Sequence, residues 1–445
     1  MFFGGNITTT NGTFRVVQVS DIHFGQATQS QDKHIHGEVR RALAEDLKSF
    51  PADAIVVTGD VAYSGQEAEY KEAAKWLDEA TKACGAKRVY VVPGNHDIDF
   101  NQIGYLADRL CKDIRSLPLE QLNDEVGKLL ADPTSESAIL AKLQAYRNFA
   151  AGYDGGDFGS GEDAYWANDL TDLGPVSLRL VGLNSALFCL KKDSPGDLVL
   201  PAKQYTKALE LNSAEELIAL IHHPLEWLKN KSQASEWIVA KARVLMMGHE
   251  HVFEIEKREP GGGLPRLEIR SGAVNPPGEI ERYEFYYNWL EFRAEHRAGR
   301  MYLIVTVKPR RWNRKGMRFD ANADQFESKD YEFQLERWRT DWEASKPKQL
   351  VEGKPPSTAQ ENAEGRDMSD ALARIRRMFW HELTRVERLE ILVSMKLLQD
   401  PGIALTHNLE RLAFDKLIRD HREGDLWEHI VAIKKIDEPN PFKKV

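Results

Sequence analysis

Three short β-rich runs in the first hundred residues each stop at polar side chains. Phe14–Ser20 runs into Asp21-Ile22-His23, Ala54–Thr58 into Gly59-Asp60, and Arg88–Val92 through Pro93 and Gly94 into Asn95-His96-Asp97. Between them, His34–Phe50 carries Val39, Leu43 and Leu47 about one turn apart, and Glu67–Ala83 gathers Tyr70, Ala73, Ala74, Leu77 and Ala80 on one face. Strand, helix, strand, helix, strand builds an α/β sheet, and polar residues at successive strand ends collect along one edge of it. Asp21 and His23 lie two apart on an extended segment and project together. Taken alone, Gly-Asn-His-Asp is also an ordinary turn, since Gly, Asn and Asp are turn residues. Its weight comes from what the other strand ends present.

The rhythm breaks over residues 101–170, where helical stretches around Leu106–Ile114 and Ala138–Tyr153 flank polar, acidic and glycine-rich segments. This reads as a helical insertion or cap. Strand character resumes at Val176–Leu183, followed by Asn184-Ser185. It returns at Leu217–Ile221, ending in His222-His223-Pro224, and at Ala242–Met247, ending in Gly248-His249-Glu250-His251. Leu267–Ala273, Tyr283–Phe292 and Met301–Lys308 complete a strand-rich half, and Pro309–Glu327 begins basic and irregular before a last strand at Tyr331–Leu335. A two-layer sandwich fits this order. Residues 346–367, rich in Pro, Gly, Lys and Glu, have the composition of a linker. From Met368 to about Lys435 several amphipathic segments are enough for a small bundle. The expected domains are therefore 1–345, a linker at 346–367, and a helical module at 368–445.

The formal net charge of −9 excludes a chain-wide basic footprint for nucleic acid, so a phosphate-bearing substrate must be drawn by a local positive field. Bound cations supply such a field. Cys84, Cys111 and Cys189 are few, odd in number and unclustered, which argues against a disulfide framework and a thiolate zinc site. No apolar run is long enough to cross a bilayer, and residues 1–13 lack a basic stretch followed by an apolar core. The expected setting is the cytoplasm, with no membrane partner.

Asp21, His23, Asp60, Asn95, His222, His249 and His251 all stand at expected strand ends and are of types that bind divalent cations. Each has a plainer reading: a strand-end Asp is commonly a cap, and His223 beside a proline is more often packed than a ligand. Five strand ends in the order D-x-H, G-D, G-N-H-D, H-H-P and G-H-x-H are not a coincidence of caps. This series, spanning roughly residues 14–275, resembles the calcineurin-like metallophosphoesterase superfamily. The resemblance implies an α/β, four-layer β-sandwich flanked by helices, here with a C-terminal all-helical bundle, and a dinuclear metal centre. It implies that Asp21, His23 and His251 hold one metal, that Asn95, His222 and His249 hold the other, and that Asp60 bridges them. His96 would stabilise the transition state or protonate the leaving group, with Asp97 as its partner. Oxygen and nitrogen ligation without thiolate suits two divalent ions, Mn first, with Fe, Zn and Ni as alternatives. Such a pair clamps a phosphoryl group and acidifies a bridging water into the attacking hydroxide.

The expected activity is hydrolysis of a nucleotide or nucleic-acid phosphodiester. The Asp-x-His, His-His-Pro and Gly-His-x-His set looks like the bacterial cyclic-nucleotide branch, and Gly-His-Glu-His also looks like the DNA-repair exonuclease branch. Phosphomonoesterase or protein phosphatase activity is the alternative. Lys308, Arg310, Arg311, Arg314, Lys315 and Arg318, with Trp312 among them, form the one locally basic run. The ending Leu426-Trp427-Glu428-His429-Ile430 through Asn440-Pro441 resembles the effector-associated adaptor domains of bacterial conflict systems, which implies a protein partner for 368–445 and a recruited nuclease. Self-association or a structural buttress are the plainer roles for such a bundle.

Overall fold

In a computed structural model the three runs that open the chain are parallel strands, β2 (Thr13–Val19), β3 (Ala54–Val57) and β4 (Arg88–Val91), preceded by a two-residue β1 (Ile7–Thr8). The structure describes residues 7–8, 12–26, 32–153, 158–159, 161–259, 263–275, 285–322, 326–340, 368, 370–398 and 406–443. They divide into two units, one within Met1–Tyr146 and Gly155–Trp342, the other within Arg147–Asp154 and Glu343–Val445. The expected linker at 346–367 lies outside the described residues.

The β-branched runs are continuous because both faces of these strands are buried. Phe14, Val16, Ala54, Val56 and Tyr90 point into a core shared with the second sheet, while Val17, Val19, Ile55 and Val57 are buried on the opposite side. Helices α1 (Asp32–Leu47) and α2 (Glu67–Cys84) connect the strands and pack on each other, with Trp76 Nε1 donating to the Arg40 carbonyl at 3.1 Å. α2 starts in a reciprocal capping box between Gln66 and Glu69 and stops at Gly85 in a left-handed turn.

An insertion follows, made of α3 (Tyr105–Ser116), α4 (Leu119–Ala131), α5 (Pro133–Ala141) and α6 (Gln144–Ala150). The second half adds β5 (Tyr165–Asp172), β6 (Ser177–Leu183), α7 (Ala202–Thr206), β7 (Glu215–Leu220), α8 (Lys231–Lys241), β8 (Ala242–Met247), β9 (Phe253–Arg258), β10 (Arg266–Ser271), β11 (Tyr286–Arg297), β12 (Arg300–Asn313), β13 (Arg318–Ala321) and β14 (Lys329–Gln334). One sheet has the order β13-β12-β11-β2-β3-β4, with β14 also on β12; the other has β1-β5-β6-β7-β8-β10-β9. Leu178, Leu180, Ile218, Leu220, Val244 and Met246 of the second sheet meet the first in the shared core. At the edge where β2 and β10 end, Val274 N donates to the Ser20 carbonyl and Asn275 N to the Asp21 carbonyl, each at 2.9 Å.

Within the strands of the first unit the structure departs from the sequence reading in three places. β5 begins inside the stretch read as insertion, at Tyr165. β9 went unread because most of its side chains face solvent or half face it. The basic stretch after Lys308 is not irregular: β12 continues to Asn313 and turns into β13, because Trp312 and Phe319 are buried and Arg310 is neutralised by Asp46 at 2.9 Å.

In the second unit Phe379, Trp380, Ile391, Leu392, Phe414, Leu417, Trp427 and Ile430 form the core. Its helices include Arg385–Ser394, His407–Arg419 and Glu423–Lys434, the first opened by a Thr384–Glu387 capping box. Arg147–Asp154, read from sequence as insertion, belongs to this unit, with Ala151 in its core and His381 Nε2 donating to the Phe149 carbonyl at 2.8 Å. Among the described residues no helix is long and apolar enough to cross a membrane.

Candidate metal centre

Five of the seven expected ligands have left-handed backbone: Asp21 (φ 52°), His23 (49°), Asp60 (52°), His249 (74°) and His251 (56°). For residues with a Cβ this costs on the order of 1–3 kcal/mol each and persists only where the surroundings enforce it. Here a backbone lattice does so: Asp21 N donates to Gly59 O at 3.0 Å, and Ile22 and His23 N donate to Asp60 O at 2.9 and 3.1 Å. The motif glycines are required by close approach as well. A Cβ on Gly59 (φ 97°) would collide with the His222 ring, and one on Gly94 with the Asp60 carboxylate.

All seven side chains converge. Asp60 Oδ2 lies 3.4 Å from His23 Nε2 and 3.3 Å from His222 Nε2, while its Oδ1 accepts from the His96 backbone at 2.8 Å. Asn95 Oδ1 is 3.0 Å from His249 Nδ1 and 3.3 Å from His222 Nε2, and Asp21 Oδ1 is 3.1 Å from His251 Nε2. Ligand atoms of Asp21, His23 and His251, of Asp21, Asp60 and His222, and of His23, Asp60 and His96 group within 4.8 Å. His223 groups with His222 and His249 too, but its Nδ1 is taken by Ser185 Oγ at 2.8 Å and its Nε2 faces Cys189 Sγ at 4.0 Å.

Carbonyls on the far side set the tautomers. The Nδ1 atoms of His23, His222 and His96 each face a backbone oxygen at 2.7 Å, those of Asn275, Thr58 and Tyr63, which leaves Nε2 free on the inner side. Electrostatics indicates what the site needs. Burial opposes ionisation of both aspartates, yet His251 beside Asp21, and His222 and His96 beside Asp60, hold them below the usual carboxylate range. Burial likewise opposes a charged His222, but Asp60 and Asp21 push it up to about 9, whereas burial and the His222 charge push His249 down to about 3. Two buried carboxylates thus keep their charge only by forcing a proton onto a neighbouring imidazole. Divalent cations remove that need because they bind carboxylates and neutral imidazoles together, so the donor set fits them.

A family model for calcineurin-like phosphoesterases matches residues 14–253. The chain belongs to the calcineurin-like phosphoesterase family. A model for the GTPase-associated adaptor domain matches residues 371–432. Similar solved structures include a dimetal phosphatase from Danio rerio, at 13% identity over 65% of this chain and 95% of that one, with a TM-score of 0.35. A purple acid phosphatase from yellow lupin (Lupinus luteus) seeds is 13% identical over 68% and 52%, with a TM-score of 0.37. Zinc-complexed Vps29 from Entamoeba histolytica is 10% identical over 72% and 99%, with a TM-score of 0.28. No curated protein sequence matches.

In this calcineurin-like phosphoesterase the expected pairing of Asp97 with His96 is not found. Asp97 turns back into its own loop, accepting from Gly94 N, Ala62 N and Tyr70 Oη, each at 2.9 Å, and from Val61 N at 3.3 Å. Burial and the Asp60 charge push its carboxyl up to about 6 against those donors. It ties the Gly-Asn-His-Asp loop to the loop after β3. Two aromatic rings escaped the sequence reading. Half-buried Tyr63 stacks on His96 at 5.0 Å between centroids, and half-buried Trp227 meets His249 edge-on at 4.2 Å. Tyr63 lies three residues past Asp60 and Trp227 five past His222, which was the available signal.

Proposed function

We propose that the chain is a dinuclear-metal-dependent phosphodiesterase acting on a nucleotide or nucleic-acid phosphodiester. Asp21, His23 and His251 would hold one divalent cation, Asn95, His222 and His249 the other, and Asp60 would contribute to both. One observation carries this reading: a single buried oxygen, Asp60 Oδ2, stands almost equally distant from a histidine of each set. Manganese is the ion we take for the tests, and Fe, Zn and Ni suit the same oxygen and nitrogen donors. Bound cations of this kind supply Lewis-acid polarisation of the phosphoryl group and activation of the attacking water.

The chain's own residues do the rest. His96, whose Nδ1–H donates to the Tyr63 carbonyl, keeps Nε2 for the leaving oxygen, and in its doubly protonated form hands the Nε2 proton to that oxygen as the P–O bond breaks. Asp97 is a positioning residue that holds the loop carrying Asn95 and His96. Tyr63 and Trp227 flank the centre beside His96 and His249, and aromatic faces are stacking platforms for nucleobases, which favours a nucleotide substrate. The three cysteines are free and buried, consistent with a reducing, cytoplasmic setting.

The test is hydrolysis of bis(4-nitrophenyl) phosphate and 4-nitrophenyl phosphate in parallel by manganese-reconstituted protein, with Asp60→Asn as control. Faster turnover of the diester supports the reading. Preference for the monoester replaces it with a phosphomonoesterase or protein phosphatase using the same centre.

The adaptor match supports a second element, docking of a protein partner or a second copy through the helical module. Val386, Leu409 and Leu412 there are 65%, 39% and 52% exposed. Light scattering on the full chain and on Leu412→Glu separates the cases: a dimer dissolved by the substitution means self-association, and a monomer in both leaves these residues to another protein, one that would recruit this chain as a nuclease effector.

A further inference from the structure

The turn Gly248-His249-Glu250-His251 carries one imidazole of each metal set, and both histidines have left-handed backbone. Two strained positions on either side of a single residue need an external hold, and Glu250 is the residue between them. Its carboxylate accepts from Arg270 Nη1. Arg270 sits on β10 with Met247, the last residue of β8, as its register partner on one side and Glu254 of β9 on the other. Its Nε is 3.4 Å from Glu254, and its Nη2 is 4.0 Å from Glu226, which lies on the 3-10 turn after His222-His223-Pro224. One guanidinium therefore faces three carboxylates, two of them on loops that carry expected metal ligands.

We propose that Arg270 is a positioning residue for the metal centre: through Glu250 it fixes the left-handed turn that aims His249 at one cation and His251 at the other. The inference rests on the assignment of those two histidines as ligands. A planar guanidinium engaging several carboxylates is a rigid brace, where a lysine would be a point charge on a flexible stem. Residues that orient metal ligands typically change metal affinity 10–100-fold when lost.

The experiment is manganese titration into metal-free full-length protein, followed by calorimetry and by the electron paramagnetic resonance signal of an exchange-coupled manganese pair. Wild type is expected to take up two ions. Arg270→Met should weaken uptake at both positions by about 10–100-fold, lose the coupled signal at concentrations that saturate wild type, and keep the melting temperature of the metal-free protein. Arg270→Lys should recover only part of the loss. Glu250→Gln, at a half-exposed position, should reproduce the effect and carry the test if Arg270→Met does not fold. The double variant should be no worse than either single one. Two ions bound by Arg270→Met or Glu250→Gln with wild-type affinity overturn the brace alone. Failure of wild type to bind two ions overturns the metal assignment beneath it.

Discussion

Both units bury charge, and they resolve it in opposite ways. In the helical unit Glu410, 1% exposed, accepts from Arg385 Nε at 2.6 Å and from Arg388 at 3.4 Å, while Arg388 also donates to the Leu383 carbonyl at 3.1 Å and to Asn148 Oδ1 at 3.4 Å. This network is made of opposite charges and closes on itself. At the candidate metal edge, two carboxylates and six imidazoles are crowded together, five of these eight residues on strained backbone, and protein atoms alone leave the charges to be shared by misplaced protons. A closed buried network is there to hold a structure. An open one, kept in place by left-handed backbone, is there to hold something else.

That contrast predicts which property each substitution damages. The largest effect on stability is expected from Glu410→Ala, which strands Arg388 in the interior: about 3–5 kcal/mol off the unfolding free energy of the helical unit. Calorimetry should show that transition moving down, while manganese-dependent hydrolysis keeps its wild-type rate. Loss of hydrolysis with an unmoved transition would reverse the comparison. Asp60→Asn is the mirror case. Turnover of the diester should fall roughly 10²–10³-fold, the size of losing one preorganised electrostatic contact at a reacting centre. The metal-free protein should keep its fold with only a modestly lower melting temperature, since the carboxylate charge that His222 and His96 stabilise is gone. A wild-type kcat in that variant sinks the shared-carboxylate reading.

Smaller effects test what flanks the centre. Tyr63→Ala and Trp227→Ala should each raise KM for a nucleotide diester by the roughly 1–3 kcal/mol that stacking one base contributes. Bis(4-nitrophenyl) phosphate, which has aromatic rings but no base, distinguishes two cases. Equal losses on both substrates mean that the rings only shape the centre, and a larger loss on the nucleotide means that they read the base.

The sheet and its candidate ligands were legible because strand ends announce themselves locally: an apolar run stops and Asp, His or Asn begins. Asp21, His23 and Asp60 each follow such a run directly, and the structure brings them to one edge as the periodicity required. Residues whose role depends on a distant partner were not legible. Nothing around Arg270 distinguishes it from Arg258 or Arg266 on neighbouring strand positions, because its meaning comes from Glu250 and Glu226, 20 and 44 positions earlier in the chain. Asp97 was read toward His96 because the two are adjacent in sequence, whereas the loop turns it toward Ala62 and Tyr70. The stretch Arg147–Asp154 has the same amphipathic pattern whichever unit it joins, and its partners, His381, Arg388 and His407, lie more than 200 residues away. Local pattern identifies elements and their ends. It does not identify which distant surface an element meets.

The smallest expected effect is a pH dependence that belongs to the helical unit. Withdrawal of the His381 ring from water, with the Arg377 and Arg388 charges adding to it against the Phe149 carbonyl, pushes its pKa down from the ordinary 6.5 to about 4. Between those values the unfolded chain binds a proton that the folded one refuses, so acid favours unfolding. The stabilisation is whole above about pH 6.5, declines as pH falls toward 4, and is fully lost below it. Between pH 7 and 5.5 this amounts to about 1 kcal/mol. His381→Gln keeps a donor for the Phe149 carbonyl and removes the titration, so its unfolding transition should shift less with acid than that of wild type. Parallel acid dependence in the two proteins would mean that the protons are taken up elsewhere, and the metal edge, where His249 is held at about 3, becomes the place to look. Saturating manganese then decides the matter, because cations displace protons from those ligands and so steepen a dependence that arises at the edge, while leaving one that arises at His381 untouched.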